Sequence, residues 1–461
     1  MAKVAGGKNH LANKSTPSSA ATNYAEMYRG QFHFSMQSGW MNDINGLWYS
    51  GGLYYMAYQT TPDSPTFNMD QCSMGLATST DLLHWKEKGV ILRPSKLGSP
   101  GSGSTVVDLK NCAGFRNSGN PVFVTLYSGH TSGVCIACSN DLGESWQCYP
   151  GNPVIPSPKF DPRDPHVFWH EPTRKWAMSI YGPDYGNTTF YTSADLKKWD
   201  FASKLSGFGF ECPDIYELPV DGDEQNTRWV LMQADGQYLV GKFNGVEFIP
   251  EQAKPCESVF GSHFYAAQSF YRCTFPDRRV VQVAWMGNWG GSLNTSPWNQ
   301  SATFPVELAL RTFPEGIRLT RKPIAEISRI YASARHWESL KIAPGPNLLS
   351  DISAQCYDIS AEFDLSRTDA STIVFSLPGK SVCYDVKSKT LLGRRLNLAG
   401  NRLKIRMLVD WSHLEVFGND GELSWSERVP FLPGGSKIGL LVDGNTELVS
   451  MSFHKISRIW E

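Results

Sequence analysis

Apolar residues in the first 320 positions come in short runs that end at turns rich in glycine, asparagine or charge. No stretch there keeps an apolar period of 3.6 residues over three turns, so the pattern does not predict helices. Instead, pairs of short runs flank polar turns at 46–56, 167–178 and 215–231. Each pair is a β-hairpin signal. The pattern therefore predicts an all-β, blade-like region.

One motif recurs three times within this region. Ser-x-Asp-Leu, followed after two or three residues by Trp, occupies 79–85, 139–146 and 193–199. This spacing fits a four-stranded propeller blade better than a solenoid turn. Ser and Asp side chains bond nearby backbone N–H groups in tight turns, and we expect the Trp to begin or pack the next strand. Chance recurrence of common residues is the alternative.

The pattern changes near Arg321. Segment 322–348 contains Lys-Pro and Pro-Gly-Pro sequences, which are typical of a connector. Alternating apolar and polar positions follow, interrupted by Gly, Asn and Pro turns, and they predict a β-sandwich. We predict a blade-like domain over 24–325 and a sandwich domain over 335–461.

Composition supports strands and narrows the range of partners. Aromatic residues make up 12% and charged residues 19%, with 41 glycines, a mixture that suits short strands and tight turns. The net charge of -1, from 43 basic and 44 acidic residues, argues against nucleic acid or an anionic membrane. No apolar run reaches the roughly 18 residues that cross a bilayer. We predict neither kind of partner and leave the oligomeric state open.

The cysteines and the first residues say little about compartment. The ten cysteines contain one CxxC, Cys135 with Cys138, and no second close pair to complete a zinc cage. The start of the chain is small and polar and has no apolar core, so it predicts no secretory signal in the sequence as given. The protein is expected to be secreted only if an N-terminal segment was removed, and localisation stays open.

Three acidic residues, Asp43, Asp164 and Glu211, carry the candidate chemistry. Each lies at the start of a predicted strand rather than at a loop tip. The innermost strands of a propeller converge on a central channel, so acids from separate blades can meet there. Turn-forming acids with ordinary structural bonds are one alternative. A Ca²⁺ site is another, although the arginine and apolar neighbours disfavour it.

The neighbours of these acids predict different protonation behaviour. Glu211 stands between Phe and Cys, so we expect desolvation to raise its pKa, as suits a general acid. Asp43 lies between Asn42 and Ile44-Asn45, whose amide donors should keep it ionised as a nucleophile must be. Asp164 follows an arginine and should also stay ionised, accepting hydrogen bonds from substrate hydroxyls.

Seven segments, in order from about residue 31 to the C-terminus, match an ordered set of known motifs. They are Trp40–Gly46 with WMNDPNG, Ser102–Asp108 with SGSxxVD, Arg163–Pro165 with RDP, Glu211–Cys212 with EC, Phe264–Ala266 and Ala284–Trp289 with later blade motifs, and Asp410–Phe417 with a sandwich signature. The set resembles glycoside hydrolase family 32, which includes invertases, inulinases, levanases and plant fructan enzymes. The resemblance implies a five-bladed β-propeller followed by a C-terminal β-sandwich.

The resemblance also implies roles for the acids. Asp43 matches the family's nucleophile, Glu211 its acid/base and Asp164 its transition-state stabiliser. It implies a retaining β-fructofuranosidase that hydrolyses terminal β-linked fructose from sucrose or fructans through a covalent fructosyl-enzyme, with no metal or organic cofactor. A fructosyltransferase and a catalytically silent carbohydrate-binding propeller are the alternatives. The implied substrate contacts are Asn42, Gln59, Ser102, Arg163, Cys212, Tyr265 and Trp298.

Several positions depart from the family pattern. Ile44 replaces the usual Pro beside the nucleophile, and Met69–Ala77 lacks both tryptophans of the family's WGxxxWGHA stretch. Gly101 replaces a Phe, His263 an Asp and Val306 an Arg. We therefore expect altered aromatic walls around the fructose pocket. Preference among sucrose, inulin and levan is left open.

Overall fold

The computed structural model describes residues 23–157, 162–182, 186–287, 295–430 and 437–460. Within these ranges the chain forms strands and short 3-10 helices, which confirms the all-β prediction. No helix in the described parts has the length and apolar character that crossing a membrane demands. Asn288 and Trp289, which carry part of the family resemblance, lie outside the described residues. The 3-10 helices are Met69–Gln71, Ala325–Ile330, Ala399–Asn401 and Asn419–Gly421.

Three antiparallel sheets come first, and each is built from strands in chain order. The first contains β1 (Gly39–Ser50), β2 (Leu53–Thr61), β3 (Ser73–Ser79) and β4 (Trp85–Leu92). The second contains β5 (Pro100–Asp108), β6 (Val122–Gly129), β7 (Gly133–Ser139), β8 (Gln147–Cys148) and β9 (Ile155–Pro156), with β9 beside β7. The third contains β10 (Arg163–His170), β11 (Lys175–Tyr181), β12 (Asn187–Ser193) and β13 (Asp200–Ser206).

A nine-stranded sheet follows and holds two further antiparallel sets. The first set comprises β14 (Asp214–Val220), β15 (Asp223–Met232), β16 (Gln237–Phe243), β17 (Phe248–Pro250) and β18 (Cys256–Glu257). After β19 (Val259–Phe260) come β20 (Tyr265–Ser269), β21 (Val280–Trp285), β22 (Trp298–Asn299), β23 (Val306–Phe313) and β24 (Gly316–Pro323). Only β20, β21, β23 and β24 form the second set, whereas β22 pairs in parallel with β1. The region thus holds five antiparallel sets of strands, and β22 pairs the end of this region with its first sheet. The count of five propeller blades stays a prediction.

Two sheets form the rest of the chain, in the arrangement predicted for a sandwich. The seven-stranded sheet runs β19-β33-β32-β31-β26-β35-β25, the five-stranded sheet runs β30-β29-β28-β27-β34, and one continuous apolar core draws on both. The strands are β25 (Tyr331–Ile342), β26 (Tyr357–Asp364), β27 (Thr372–Leu377), β28 (Lys380–Asp385), β29 (Thr390–Leu391), β30 (Arg394–Arg395), β31 (Arg402–Val409), β32 (His413–Gly418), β33 (Leu423–Arg428), β34 (Gly439–Val442) and β35 (Thr446–Ile456).

The predicted connector at 322–348 is wrong in its middle part, which forms β25. This strand pairs along its whole length with β35 and becomes an edge of the seven-stranded sheet. The alternation there is weak because most of its side chains are exposed, which made the strand resemble a linker. The domain limits 24–325 and 335–461 stay predictions.

The first and third Ser-x-Asp-Leu-Trp repeats adopt the same turn, and the second adopts a similar turn that is one residue longer. In the first, Asp81 Oδ1 accepts the N–H groups of Leu83 and His84 at 3.0 and 2.9 Å, and Trp85 Nε1 donates to Leu82 O at 3.1 Å. The leucine after the aspartate has a positive φ of 67, 60 and 64° in the three copies. Each repeat connects the third strand of its sheet to the fourth. The shared geometry confirms the predicted turn and excludes chance recurrence.

A buried ion network joins the segment before β1 to the sandwich. His33 donates from Nδ1 to Asp410 Oδ2 at 2.9 Å and from Nε2 to Glu415 Oε1 at 3.0 Å. Burial lowers the pKa of His33, but hydrogen bonds and charge from both carboxylates outweigh it and raise the pKa to about 9. His33, Asp410 and His413 lie close enough to surround a metal ion. However, an imidazolium with both nitrogens protonated has no lone pair to offer a metal.

We expect His33→Gln to lower the free energy of unfolding at pH 7 by about 3 kcal/mol, because two buried carboxylates lose their cation. The raised pKa means that His33 contributes its full stability below about pH 6.5 and loses it as the pH rises through 9. Urea unfolding of both proteins at pH 7 and pH 10 measures this. The difference between them should shrink at pH 10, and an undiminished difference would contradict the charged state of His33.

Candidate active site

The three predicted acids lie on, or three residues before, the first strands of three different antiparallel sets. Asp43 is in β1, Asp164 is the second residue of β10, and Glu211 lies three residues before β14. The pairing of β1 shifts register on both sides of Ile44, and that of β10 shifts between Arg163 and His166. Such bulges re-aim side chains and are frequent beside active sites. Because of these bulges, Asp43 and Asp164 do not follow the regular pairing of their strands.

Cys212 links the three acids. Its thiol donates to Asp43 Oδ2 at 3.6 Å, and its backbone N–H donates to Asp164 Oδ2 at 3.1 Å. Glu211 precedes it in the chain. Arg163 completes the group, with Nη2 2.6 Å from Glu211 Oε1 and Nε 3.7 Å from Asp164 Oδ2. The structure therefore brings together the three acids, as the sequence predicted.

The backbone at this group is strained. Asp164, Glu211 and Cys212 have φ values of 61, 36 and 39°, in the left-handed region that residues with a Cβ rarely adopt. Such strain persists only where surrounding contacts hold it, and it clusters at functional sites. One of those contacts is the Asp164 N–H, which donates to Ser128 Oγ at 2.7 Å.

Asp43 is oriented by a fixed set of donors. Ser102 Oγ donates to its Oδ2 at 2.6 Å, and Asn42 Nδ2 donates to its Oδ1 at 3.1 Å. The Asn42 amide cannot be reversed, because Trp40 Nε1 donates to its Oδ1 at 3.0 Å while Nδ2 also donates to Gln59. Ser102 thus takes the donor role expected of Asn45, whose buried amide makes no hydrogen bond within the described part of the chain.

Burial changes the charge balance predicted for the aspartates. It raises the pKa of Asp43, which the Ser102 and Asn42 donors lower only in part. Burial, with the charge of Glu211, raises the pKa of Asp164 to about 7. Arg163 lowers the pKa of Asp164 but does not offset burial, so this carboxyl is less ionised near neutral pH than the sequence predicted. The guanidinium lies closer to Glu211, at 2.6 Å, than to Asp164, at 3.7 Å, so most of its charge acts on Glu211.

Glu211 is the most open of the acids. Its side chain is 25% exposed, against 6% for that of Asp164. Arg163 pairs with one carboxylate oxygen, and the Tyr265 hydroxyl donates to the other. Phe210 and Cys212 therefore do not desolvate Glu211 as predicted, because polar side chains contact both oxygens of its carboxylate. The chain neighbours of a residue do not report which side chains from other strands face it.

Among the predicted substrate contacts, Arg163 and Tyr265 reach Glu211 directly, whereas Ser102, Asn42 and Gln59 are buried around Asp43. Trp298 does not join this group. Its side chain is fully buried, with the Arg29 guanidinium 4.5 Å from its ring centre. The structure gives Trp298 a packing role in place of the predicted sugar contact, because β22 is the strand that pairs with β1.

The sequence reasoning missed aromatic neighbours of the site. Trp40 lies 6.2 Å from the rings of both Phe67 and Trp285, and Tyr265 meets Trp285 edge to face at 6.0 Å. Arg163 lies over the ring of Tyr181 at 4.6 Å. Phe67 lies two residues before Met69–Ala77, the segment in which the family's tryptophans are missing. An aromatic residue so close to that segment was the signal that could have identified Phe67 as a neighbour of the site.

The alternative of a cation site is not favoured by this geometry. Among the described residues, the three acids do not place ligand atoms within 4.8 Å of one another, unlike the His33 group at the domain junction. Arg163 already occupies the space between Asp164 and Glu211 as a fixed positive charge. The arrangement suits proton transfer and nucleophilic attack better than metal binding.

Comparison with known proteins places the chain in a family. The model described as glycosyl hydrolases family 32 N-terminal domain matches residues 33–323, and the family 32 C-terminal model matches 326–455. The chain belongs to glycoside hydrolase family 32. It is 35% identical to a levanase of Bacillus subtilis over 95% of its own length and 72% of that protein. It is 30% identical to an extracellular exo-inulinase of Aspergillus niger, over 95% of this chain and 96% of that one.

Solved structures support the same family 32 architecture. The exo-inulinase of Aspergillus awamori superposes with a TM-score of 0.84 at 28% identity, covering 95% of this chain and all of that one. A fructofuranosidase of Schwanniomyces occidentalis, at 24% identity and a TM-score of 0.84, covers 95% of this chain and 99% of that one and shares the fold. The protein is a glycoside hydrolase with an N-terminal β-propeller and a C-terminal β-sandwich, as predicted.

Asp164→Asn should stabilise the protein increasingly as pH rises. The pKa of Asp164 is raised to about 7 in the folded chain, so its stabilising contribution is complete below about pH 4 and is lost as the pH rises through 7. An amide stays neutral throughout, so the variant should gain about 1 kcal/mol per pH unit over wild type between pH 4 and 7. Thermal unfolding at pH 5 and pH 8 tests this, and equal differences at both values would contradict it.

Proposed function

We propose that this family 32 enzyme is a retaining β-fructofuranosidase in which Asp43 is the nucleophile, Glu211 the acid/base and Asp164 the stabiliser of the transition state. Its substrates are sucrose or fructans, in keeping with the relatives named levanase and exo-inulinase. The observation that carries the proposal is the pair of contacts that Cys212 makes, one to Asp43 and one to Asp164, beside Glu211.

In the first step Glu211 gives its proton to the glycosidic oxygen while Asp43 attacks the anomeric carbon of fructose. The C–O bond to the leaving sugar breaks and a bond to Asp43 forms, which gives a covalent fructosyl-enzyme. Ser102 and Asn42 hold the Asp43 carboxylate in place, so little orientation is lost on attack. Retention requires the two carboxyl groups to lie about 5–5.5 Å apart.

In the second step Glu211 takes a proton from water, and the resulting hydroxide releases fructose from Asp43. Arg163 and Tyr265 donate to the two oxygens of the Glu211 carboxylate and so hold it in position for both proton transfers. Asp164, buried and with a pKa near neutrality, binds furanose hydroxyls as charge develops on the ring. No step requires a metal or an organic cofactor.

Product analysis separates hydrolysis from its alternatives. Sucrose, inulin and levan are incubated separately with the protein, and the products are resolved by chromatography. Free fructose supports the proposal, and longer oligosaccharides identify a fructosyltransferase. No change in any substrate identifies a catalytically silent carbohydrate-binding protein. The hydrogen bonds that orient Asp43 disfavour this alternative, because binding alone needs no nucleophile.

Asp43→Asn should lose several orders of magnitude in kcat with sucrose, because an amide of the same shape cannot form the covalent intermediate. Initial rates and thermal unfolding are measured together, since the fold should be kept. Asp81→Asn, in the turn of the first repeat, is the matched control and should keep most of the rate. Should Asp43→Asn retain more than about a tenth of wild-type activity, the nucleophile is a different residue.

Glu211→Gln should harm substrates with poor leaving groups most. A sugar alkoxide must be protonated as it leaves, whereas a nitrophenolate departs almost unaided. The variant should lose most of the roughly 10²–10⁴-fold acid–base contribution with sucrose but much less in the first step with an aryl fructoside. Its pH–rate profile should also lose the alkaline limb. Equal losses on both substrates with a lowered melting temperature would show that Glu211 only supports the fold.

A further inference from the structure

Two β-bulges on neighbouring inner strands carry groups of the proposed active site. The pairing of β5 with β6 shifts register at 101–102, so these two residues face Ser128 alone. The pairing of β10 with β11 shifts in the same way at 164–165, and these two residues face Ile180 alone. Two residues opposite one define a bulge, where the regular ladder is locally disrupted. Each bulge therefore needs contacts beyond the ladder to hold its shape.

One buried hydroxyl, that of Ser128 in β6, contacts both bulges. Ser128 Oγ donates to the backbone carbonyl of Ser102 at 3.0 Å and accepts the N–H of Asp164 at 2.7 Å. A carbonyl only accepts and an N–H only donates, so both roles of the hydroxyl are fixed. Ser128 is fully buried, so its side chain does not touch a sugar. It acts on the site only through the residues that it holds.

The two bonds of Ser128 reach different parts of the proposed mechanism. Ser102 Oγ donates to Asp43 Oδ2 at 2.6 Å, so the backbone position of Ser102 sets the direction from which this donor meets the nucleophile. Asp164 has a φ of 61°, a conformation that persists only where surrounding contacts hold it. The Ser128 hydroxyl thus connects the orientation of Asp43 to the backbone of Asp164.

Other bonds hold the two strands together without Ser128. Ser104 Oγ donates to the carbonyl of Pro165 and accepts the N–H of Val167, both at 2.9 Å, and so ties β5 to β10. Removal of the Ser128 hydroxyl is therefore expected to shift the bulges locally rather than to separate the strands. A local shift changes the geometry of the acids more than the stability of the fold.

We propose that Ser128 is a positioning residue that holds Asp43, through Ser102, and Asp164 in the relative arrangement that the reaction requires. The roles of Asp43 and Asp164 rest on the proposed function, whereas the two contacts of Ser128 do not depend on it.

The first test compares the kinetics of wild type, Ser128→Ala and Ser139→Ala with sucrose. Ser139 is the matched control, because it is buried in β7 of the same sheet and its Oγ also donates once and accepts once. Its partners are Asp141 Oδ1 at 2.8 Å and the Gly143 N–H at 2.9 Å. Ser128→Ala should lower kcat about 100-fold, as a misplacement of about 1 Å can. KM should stay near the wild-type value, and Ser139→Ala should keep both constants.

A double-mutant cycle with Ser102→Ala distinguishes positioning from a general weakening of the sheet. Because Ser128 acts on Asp43 through Ser102, the loss of kcat in the double variant should be at least about fivefold smaller than the product of the single losses. Ser139→Ala combined with Ser102→Ala should give the simple product. Should Ser128→Ala be unfolded, Ser128→Cys takes its place with the same expected pattern, because a thiol has a similar shape but is a weak donor and acceptor.

Hydrogen exchange tests the contact with Asp164 without any substrate. The Asp164 amide is bonded to Ser128 Oγ in wild type, so it should exchange faster in Ser128→Ala and at the wild-type rate in Ser139→Ala. Unchanged exchange at Asp164, a kcat equal to that of Ser139→Ala, a change confined to KM, or losses that multiply fully with Ser102→Ala would each overturn the inference. Failure of the proposed function appears instead as an absence of products from sucrose, inulin and levan with wild type itself.

Discussion

The pairing of β22 with β1 is the contact on which the geometry of the site depends. Gly39 and Trp40 pair in parallel with Trp298 and Asn299, so a segment from the end of the propeller region is fixed beside its first strand. Asp43 lies three residues beyond Trp40, and Trp40 also fixes the amide of Asn42. Closure of the ring and orientation of the proposed nucleophile therefore share one stretch of backbone.

The electrostatics of the site follow from one guanidinium placed among three carboxylates. Arg163 lies closest to Glu211 and farther from Asp164, so it leaves Asp164 with a raised pKa. Asp43 receives neutral donors instead of a cation. Three acids of similar chemistry thus acquire different environments, which is what a division into nucleophile, acid/base and stabiliser requires. The same buried carboxylates make the site costly to stability at neutral and alkaline pH.

The channel and the domain junction show how polar groups are used away from the acids. At the junction, His33 is satisfied on both nitrogens by Asp410 and Glu415, so the network is complete and ties the propeller to the sandwich. In the channel, Asp214 accepts hydrogen bonds from Ser269 and Gln282, at 2.9 and 2.8 Å. Protein donors thus hold both buried carboxylates, Asp410 and Asp214, which indicates a structural role for each.

The sequence by itself determined the strands, the repeated turns and the identity of the acids, because these depend on local features. Side-chain alternation, the Asp81-type turns and the short motifs around Asp43, Asp164 and Glu211 are all read within a few residues. Tertiary structure decided the partners. Ser102 rather than Asn45 donates to Asp43, Trp298 packs under Arg29, and Arg163 serves Glu211 more than Asp164. The protonation of a buried carboxyl depends on charges and donors within a few ångströms, and those come from strands that are distant in the chain.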